Sequence, residues 1–275
     1  MPGILYLVGT PIGNLSDFSP RAIETLKSVD FIAAEDTRVS LKLLNHFEIK
    51  KPMLCYFEHN RAEMGDKLLS RLLGGESCAL VTDAGMPAIS DPGEDIVRQC
   101  AENGITVCAI PGPSAVVTAL AMSGLPTGRF TFEGFLEVPN KERRAHLEEL
   151  KNEKRTMIFY EAPHKLQRTL QDLLDNFGDR KIALCREMTK LHEEVRRCTL
   201  SEAVAHYNEN PPKGEFVLVL EGKQESDEPE MTIAQALEAV ERYRVEGKSL
   251  KEACKLAAAD SGFGKNELYN LALGK

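Results

Sequence analysis

Short apolar runs alternate with amphipathic helical patterns through the first half of the chain, and this alternation leaves few possible folds. The runs Ile4–Val8, Phe31–Ala34 and Thr106–Ile110 have the length and composition of buried strands. Ser19–Val29 and Arg61–Leu73, which lie between them, carry apolar residues at helical spacing. Strands and helices that alternate in this way form a parallel sheet with helices on both faces. The sequence therefore predicts an α/β fold that begins with a parallel sheet.

The character of the chain changes after Pro111–Ser114. A highly charged segment, Lys141–Arg155, is flanked by further strand-like runs, a pattern that predicts a second α/β domain with a mixed sheet. Residues 223–231 are polar, acidic and contain a proline, as linkers often do. We therefore place the first domain at residues 1–112, the second at 113–222 and a linker at 223–231.

A small helical module follows the linker. Thr232-x-x-Gln235 and Ser249-x-x-Glu252 have the pattern of capping boxes, and each opens an alanine- and leucine-rich helical segment. A third short helix is expected near Lys265–Leu273. Residues 232–275 are thus predicted to form a helix-turn-helix-like module.

Composition narrows the functional classes. The net charge of −8 argues against a protein that covers itself with basic side chains to bind nucleic acid, so any RNA contact is expected to be local. The seven cysteines form no C-x-x-C pair, and the histidines match no metal-binding spacing. The first residues read as a strand and not as a signal peptide, and no apolar run is long enough to span a bilayer. We expect a soluble cytoplasmic protein with reduced thiols and no metal site.

Three loops rich in glycine and proline follow predicted strands: Gly9–Asn14, Asp83–Pro87 and Pro111–Ala115. In open parallel sheets the ligand crevice lies at the carboxyl ends of the strands, so these loops are expected to converge on one site. Each loop alone is equally well explained as a tight turn. None of them matches a dinucleotide or P-loop signature, and a ligand without a pyrophosphate fits better.

Asp91-Pro92-Gly93-Glu94 resembles a helix start, with Asp91 as the N-cap, a proline, and Glu94 as a capping-box carboxylate. We therefore expect the Asp91 side chain to cap the helix that follows.

Several ordered motifs resemble those of the tetrapyrrole methylase superfamily, and within it the family that methylates small-subunit ribosomal RNA. The resemblance extends over residues 4–222 in order, and Gly262–Tyr269 resembles the C-terminal helical module of that family. The motifs that carry it are Gly9–Leu15, Ala33–Arg38, Val81–Pro87, Ser90–Gly93, Pro111–Ala115, Phe132–Phe135 and Phe159–His164.

The resemblance implies two α/β domains with S-adenosylmethionine in the cleft between them, a homodimer, and methylation of a cytidine ribose 2′-hydroxyl in small-subunit rRNA. One position departs from the family pattern, since Met86 stands where the family usually has threonine. Carried over by motif, the cofactor pocket would include Pro11, Asp83, Ala84, Gly85, Met86, Pro87, Ile89, Ser114, Ala115, Tyr160 and Glu161.

A ribose hydroxyl is a weak nucleophile, so a carboxylate that accepts its proton would help the transfer. Asp36, Asp83 and Glu161 are the candidates. For Asp36 a surface ion pair with Arg38 is an equally good interpretation.

Candidate RNA contacts fall into two groups. Arg38, Arg143 and Arg144 lie in the body of the chain, although the glutamates around Arg143 and Arg144 favour a solvated helix with ion pairs one turn apart. The second group lies in the helical module and comprises Lys248, Lys251, Lys255 and Lys265.

Two other functions stay open at this point. A methyltransferase of the same superfamily that acts on a tetrapyrrole or on a protein side chain is the nearer alternative. A non-catalytic RNA-binding adaptor that has kept the fold is the other, and cofactor binding separates it from the enzymes.

Overall fold

The computed structural model describes residues 1–137, 139–224 and 231–274. It divides into two compact units, Met1–Lys223 and Gln224–Lys275. Most of the predicted linker, residues 223–231, lies outside the described residues. The predicted boundary between residues 112 and 113 falls inside the first unit, which contains two sheets, and stays a prediction.

The first sheet is parallel throughout and has the strand order β3-β2-β4-β1-β5. Its strands are β1 (Ile4–Val8), β2 (Phe31–Ala34), β3 (Met53–Cys55), β4 (Cys78–Val81) and β5 (Thr106–Ile110). Its helices are α1 (Pro20–Ser28), α2 (Thr37–His46), α3 (Arg61–Leu73) and α4 (Glu94–Glu102).

Successive residues of β2 and β4 enter different cores, as the alternation of side chains along a strand requires. Ile32 and Ala79 pack in the core on one face, whereas Phe31 and Leu80 pack in the core on the other. Both faces of this sheet are therefore covered, as the continuous apolar runs predicted.

The second sheet is mixed and has the strand order β6-β7-β10-β8-β9. Its strands are β6 (Phe130–Phe135), β7 (Thr156–Glu161), β8 (Lys181–Arg186), β9 (Glu194–Thr199) and β10 (Phe216–Leu220). The helices of this part are α5 (Ala115–Ser123), α6 (Asn140–Leu150), α7 (Pro163–Phe177) and α8 (Leu200–Glu209). The parallel and mixed sheets confirm the predicted fold class.

Strand β9 was not predicted, and its position explains why. Its sequence, Glu-Val-Arg-Arg-Cys-Thr, lacks a continuous apolar run, and it pairs only with β8 at the edge of the described sheet. An edge strand is partly solvated and tolerates charged residues, which also discourage pairing with other chains.

The expected cap at Asp91 is wrong. Helix α4 begins at Glu94 with Gly93 as its N-cap, and no side chain makes the capping hydrogen bond. Gly93 has a φ of 142°, so the chain turns sharply at this point and leaves the Asp91 side chain outside the helix start.

The second unit consists, in its described part, of α9 (Ile233–Val245), α10 (Leu250–Ser261) and α11 (Lys265–Ala272). Thr232 and Gln235 form the predicted capping box, and the hydroxyl of Ser249 accepts a hydrogen bond from the backbone N–H of Glu252. Small residues such as Ala236, Ala253 and Ala257 let the helices pack closely. In the described parts of both units, no helix is long and apolar enough to cross a membrane.

Candidate functional site

A cleft of about 560 Å³ opens beyond the carboxyl ends of the first-sheet strands and against the second sheet. This volume lies within the roughly 300–1,000 Å³ of small-molecule sites. The lining residues are Ile12, Glu35, Thr82, Asp83, Ala84, Gly85, Met86, Ile89, Ser90, Asp91, Ser114, Ala115, Phe135, Tyr160, Glu161, Ala162, Pro163, Met188, Glu215, Phe216 and Val217.

The three glycine- and proline-rich loops meet at this cleft. All the residues that the resemblance assigned to the cofactor line it except Pro11 and Pro87, whose neighbours Ile12 and Met86 do. Thr10 and Gly85 join two of the loops through paired backbone hydrogen bonds of 2.9 and 3.2 Å. These two loops therefore form one continuous part of the cleft wall.

Asp91, the expected helix cap, lines the cleft instead. Burial raises the pKa of Asp91 to about 6, and the nearby charges of Glu35 and Asp83 add to the rise. A hydrogen bond with the Thr82 side chain opposes it. A partly buried carboxyl with a raised pKa in a cleft is a typical feature of a functional site. Sequence reasoning missed this residue because Asp-Pro-Gly-Glu also fits a helix start.

Asp83 and Asp36 are neighbours with different environments. Asp83 is exposed at the lining of the cleft, and partial desolvation there raises its pKa, although its Oδ1 accepts a 3.2 Å hydrogen bond from the Asp36 backbone N–H. Asp36 lies outside the lining, caps α2 and holds Arg38 at 2.7 Å. Hydrogen bonds from Arg38 lower the pKa of Asp36 to about 2. The surface-pair interpretation of Asp36 thus fits the structure, and so weak a base is a poor proton acceptor.

Glu161 is held at the wall of the cleft by a buried hydrogen-bond network. It ends β7, is 4% exposed, and accepts hydrogen bonds from the Thr169 hydroxyl and, at 2.8 Å, from the Ala162 backbone N–H. The Thr169 hydroxyl accepts in turn a 2.8 Å hydrogen bond from Arg143. Arg143 also donates to Asp172 at 2.6 Å. These contacts fix the orientation of the Glu161 carboxylate.

Arg143 therefore does not have the role expected of an RNA contact. Arg143 is only 4% exposed, and its guanidinium donates hydrogen bonds to Asp172, Thr169 and the backbone carbonyl of Glu137. Arg144, the next residue of α6, is exposed. The helix thus points one arginine inward and one outward, and only Arg144 is available to a phosphate.

The other expected RNA contacts lie at accessible positions. Arg38 is exposed while it pairs with Asp36. In the second unit Lys248, Lys251 and Lys255 are exposed, and Lys265 is half-buried.

The lining of the cleft is acidic. Five of its residues carry carboxylates, and none of these described lining residues is a lysine or arginine. Such a surface repels a pyrophosphate and favours a ligand with positive charge. Residues 1–137, 139–224 and 231–274 contain no group of three or more histidine, cysteine, aspartate or glutamate side chains that could hold a metal ion.

Comparisons with known proteins agree on one family. The family model described as tetrapyrrole (corrin/porphyrin) methylases matches residues 4–204. The chain is 52% identical over 272 residues to a protein of Halalkalibacterium halodurans, covering 98% of this chain and 94% of the relative. It is 47% identical to a protein of Synechocystis, covering 98% of both. Both relatives are named ribosomal RNA small subunit methyltransferase I.

A Thermotoga maritima protein of the same name is 49% identical over 222 residues, which cover 81% of this chain and all of that relative. A length of this chain close to that of the second unit thus has no counterpart there.

Solved structures share the fold at low identity. A uroporphyrin-III-C-methyltransferase from Thermus thermophilus has a TM-score of 0.56 at 20% identity, covering 79% of this chain and 94% of that one. A diphthine synthase has a TM-score of 0.60 at 16% identity, covering 80% and 90%. Both chains are similar to this one in architecture.

Proposed function

Because this chain belongs to the tetrapyrrole (corrin/porphyrin) methylases, we propose that it transfers a methyl group from S-adenosylmethionine to the ribose 2′-hydroxyl of a cytidine in small-subunit ribosomal RNA. The observation that carries the proposal is the near full-length similarity to proteins named as small-subunit rRNA methyltransferases. The choice of cytidine and of the 2′-hydroxyl comes from the motif resemblance.

The cleft suits S-adenosylmethionine. Its carboxylates, among them Asp83 and Glu161, complement a sulfonium and an ammonium group, and its loops offer backbone groups at Ala84, Gly85 and Ser114. When bound, the cofactor supplies a methyl group already activated by the positive sulfur. Met86 can offer the cofactor no side-chain hydroxyl, and only its backbone groups would be available for a polar contact.

The chain then has to orient the ribose hydroxyl and accept its proton. Good alignment of reacting groups lowers a barrier by about 7–11 kcal/mol in favourable cases. Asp83, Asp91 and Glu161 line the cleft and are the candidate proton acceptors. Asp91 has a pKa of about 6, close to neutral pH, which suits a general base. We propose Asp91 in place of Asp36, which lies outside the cleft.

RNA binding is assigned to side chains outside this acidic cleft. Arg38 and Arg144 in the first unit, with Lys248, Lys251, Lys255 and Lys265 in the second, are the proposed phosphate contacts. We further propose that the first unit divides into two domains between residues 112 and 113. We also propose that two copies of the chain form a homodimer and that the protein acts in the cytoplasm. Sedimentation of the pure protein tests the dimer.

Two alternatives remain testable. Methylation of a tetrapyrrole or of a protein side chain is the nearer alternative, and the uroporphyrin-III-C-methyltransferase and diphthine synthase of similar fold support the fold alone at their low identity. A non-catalytic RNA adaptor would not bind S-adenosylmethionine.

The test has two steps. Calorimetry with a chelator present measures S-adenosylmethionine binding, and purified small ribosomal subunits from cells that lack this protein then serve as substrate with radiolabelled cofactor. Ribose methylation is mapped in the product RNA. Methyl transfer to a cytidine 2′-hydroxyl is the expected result. Cofactor binding without transfer to RNA would favour another substrate, and absence of cofactor binding would favour the adaptor.

A further inference from the structure

Phe135 is an exposed aromatic side chain at the rim of the cleft. It is 53% exposed although it ends a strand of the second sheet, and it belongs to the cleft lining. Phe130, at the other end of the same strand, is 38% exposed and lies outside the lining. A flat apolar group binds favourably on a large exposed ring at the edge of a cleft, because contact removes both surfaces from water.

A bulge in β6 sets the position of this ring. The pairing of β6 with β7 shifts register between Phe132 and Gly134, and Gly134 has a φ of 63°. Bulges of this kind redirect the side chains that follow them and are common beside active sites. A Cβ at residue 134 would lie 3.7 Å from the Ser90 hydroxyl, so the bulge lies close to the loop after β4.

Neighbouring aromatic rings brace Phe135. Its ring centroid lies 5.5 Å from that of Tyr160 with the planes at 62°, and Tyr160 meets Phe132 at 4.9 Å and 67°. These edge-to-face contacts hold Phe135 without covering it, because more than half of the residue stays exposed. The ring is therefore oriented before any ligand arrives.

The loop from the first sheet presents a second apolar side chain at the same cleft. Ile89 is 52% exposed and lies between Ala88 and Ser90, whose φ angles of 67° and 60° are uncommon for residues other than glycine. Strained backbone of this kind clusters at ligand sites. Ile89 and Phe135 thus present apolar surface from two different sheets to one cleft.

The charge of the cleft decides which part of a nucleotide these side chains can bind. The described lining residues carry five carboxylates and no lysine or arginine, so a phosphate gains nothing by entering. A base can enter, because stacking on an aromatic ring needs no positive charge. A nucleotide whose base enters the cleft loses stacking with its neighbours, and a new aromatic contact can return that stacking energy.

We propose that Phe135 is the stacking platform for the base of the nucleotide that is methylated, with Ile89 as an apolar contact beside it. This inference rests on the proposed function, since it names the substrate contact of the same site. Phe135 is a binding and positioning residue, and it takes no part in the proton transfer.

The test compares Phe135→Ala, Phe135→Leu and Phe135→Tyr, with Phe130→Ala as the matched control on the same strand. Loss of base stacking on alanine substitution is expected to lower kcat/KM for small ribosomal subunits about 10- to 100-fold. Phe135→Leu, which keeps apolar bulk but no flat face, should resemble the alanine variant, whereas Phe135→Tyr and Phe130→Ala should stay near wild type. Calorimetry should give the same S-adenosylmethionine affinity for all variants.

Two results would overturn the platform. Equal kcat/KM for Phe135→Ala and wild type is one. The other is a loss of S-adenosylmethionine affinity in Phe135→Ala that matches its loss of kcat/KM, since it would mean that the ring stacks on the adenine of the cofactor.

A separate experiment measures the fluorescence anisotropy of a short fluorescein-labelled single-stranded RNA centred on cytidine. If the wild type binds this RNA more tightly than Phe135→Ala but methylates no subunits, the proposed function fails, and Phe135 is a stacking contact for an RNA base without methyl transfer to that nucleotide. Equal RNA binding by both, or none by either, rejects the platform.

Discussion

The hydroxyl of Thr82 donates a 2.7 Å hydrogen bond to Oε2 of Glu35. The two residues follow neighbouring parallel strands, β4 and β2, at the edge of the sheet where the cleft opens. The same hydroxyl lies within reach of Asp91 and lowers the pKa of that carboxyl. Because it has a single proton, the Thr82 hydroxyl donates to one of these two carboxyl groups of the cleft at a time.

Replacement of Thr82 by valine keeps the shape of the side chain and removes this hydroxyl. Because the hydrogen bond from Thr82 holds the pKa of Asp91 down, the pKa of Asp91 should rise above its value of about 6 in the Thr82→Val variant. If Asp91 accepts the ribose proton, the acidic limb of the pH profile of kcat/KM should move to higher pH. If the acidic limb lies at the same pH in Thr82→Val and in the wild type, the protonation of Asp91 does not control the reaction.

Asp91→Asn tests the same carboxyl through stability. The folded-state pKa of Asp91, about 6, lies above its ordinary value of 3.8, so the native state binds the proton more tightly and wild-type stability falls as pH rises between these two values. Asparagine removes the buried charge. At about pH 8 the variant should be more stable by about 1 kcal/mol after allowance for partial exposure. Urea unfolding should show that this difference vanishes below about pH 4.

Gly85→Val should abolish cofactor binding. Gly85 has a φ of 90° and its backbone joins the wall of the cleft, so a branched side chain strains the loop and fills ligand space. The strain should cost about 1–3 kcal/mol of folding free energy. Gly104→Val is the control, because Gly104 has a φ of 66° with open space around it and lies outside the lining. If calorimetry shows wild-type cofactor affinity for Gly85→Val, the loop is only a tight turn and does not contribute to cofactor binding.

Arg143→Ala and Arg144→Ala should have opposite consequences. Removal of the buried Arg143 guanidinium takes one hydrogen bond from Thr169 and the 2.6 Å ion pair from Asp172, which keeps only a 3.7 Å pair with Arg168, and should lower the free energy of unfolding by about 2–4 kcal/mol. Arg144 is exposed, so its removal should change stability by less than about 0.5 kcal/mol. Arg144→Ala should instead weaken RNA binding at low salt. Urea unfolding and RNA binding at two salt concentrations check both variants, and similar stability for the two would show that the buried network contributes little.

Deletion of residues 232–275 should leave cofactor affinity nearly unchanged, because the second unit has its own caps and its own core. Methylation of small subunits should weaken, since a tethered module raises the effective concentration of substrate. The difference should fade as salt rises if lysines meet phosphate. A full-length variant with Lys248, Lys251, Lys255 and Lys265 changed to glutamine is the matched control. Equal activity of truncated and full-length protein at every salt concentration would reject an RNA role for the module.

The neighbouring residues Arg143 and Arg144 show where sequence reasoning reaches its limit. Both occupy one charged segment, and the helical pattern of that segment was predicted correctly. Which arginine is buried depends on Thr169 and Asp172 of α7, far away in sequence. No local pattern carries that information, because it follows from how two helices pack.

The sequence by itself determined the features that depend on near neighbours in the chain. Apolar periodicity predicted the parallel sheet, Thr232 and Ser249 marked helix starts, and the loops after the strands marked the position of the cleft. Only the tertiary structure decided that Asp91 faces the cleft and that a bulge turns Phe135 toward its rim. Hydrogen bonds and apolar contacts between close residues act through the local pattern, whereas burial and pKa depend on groups that meet only after the strands and helices have packed.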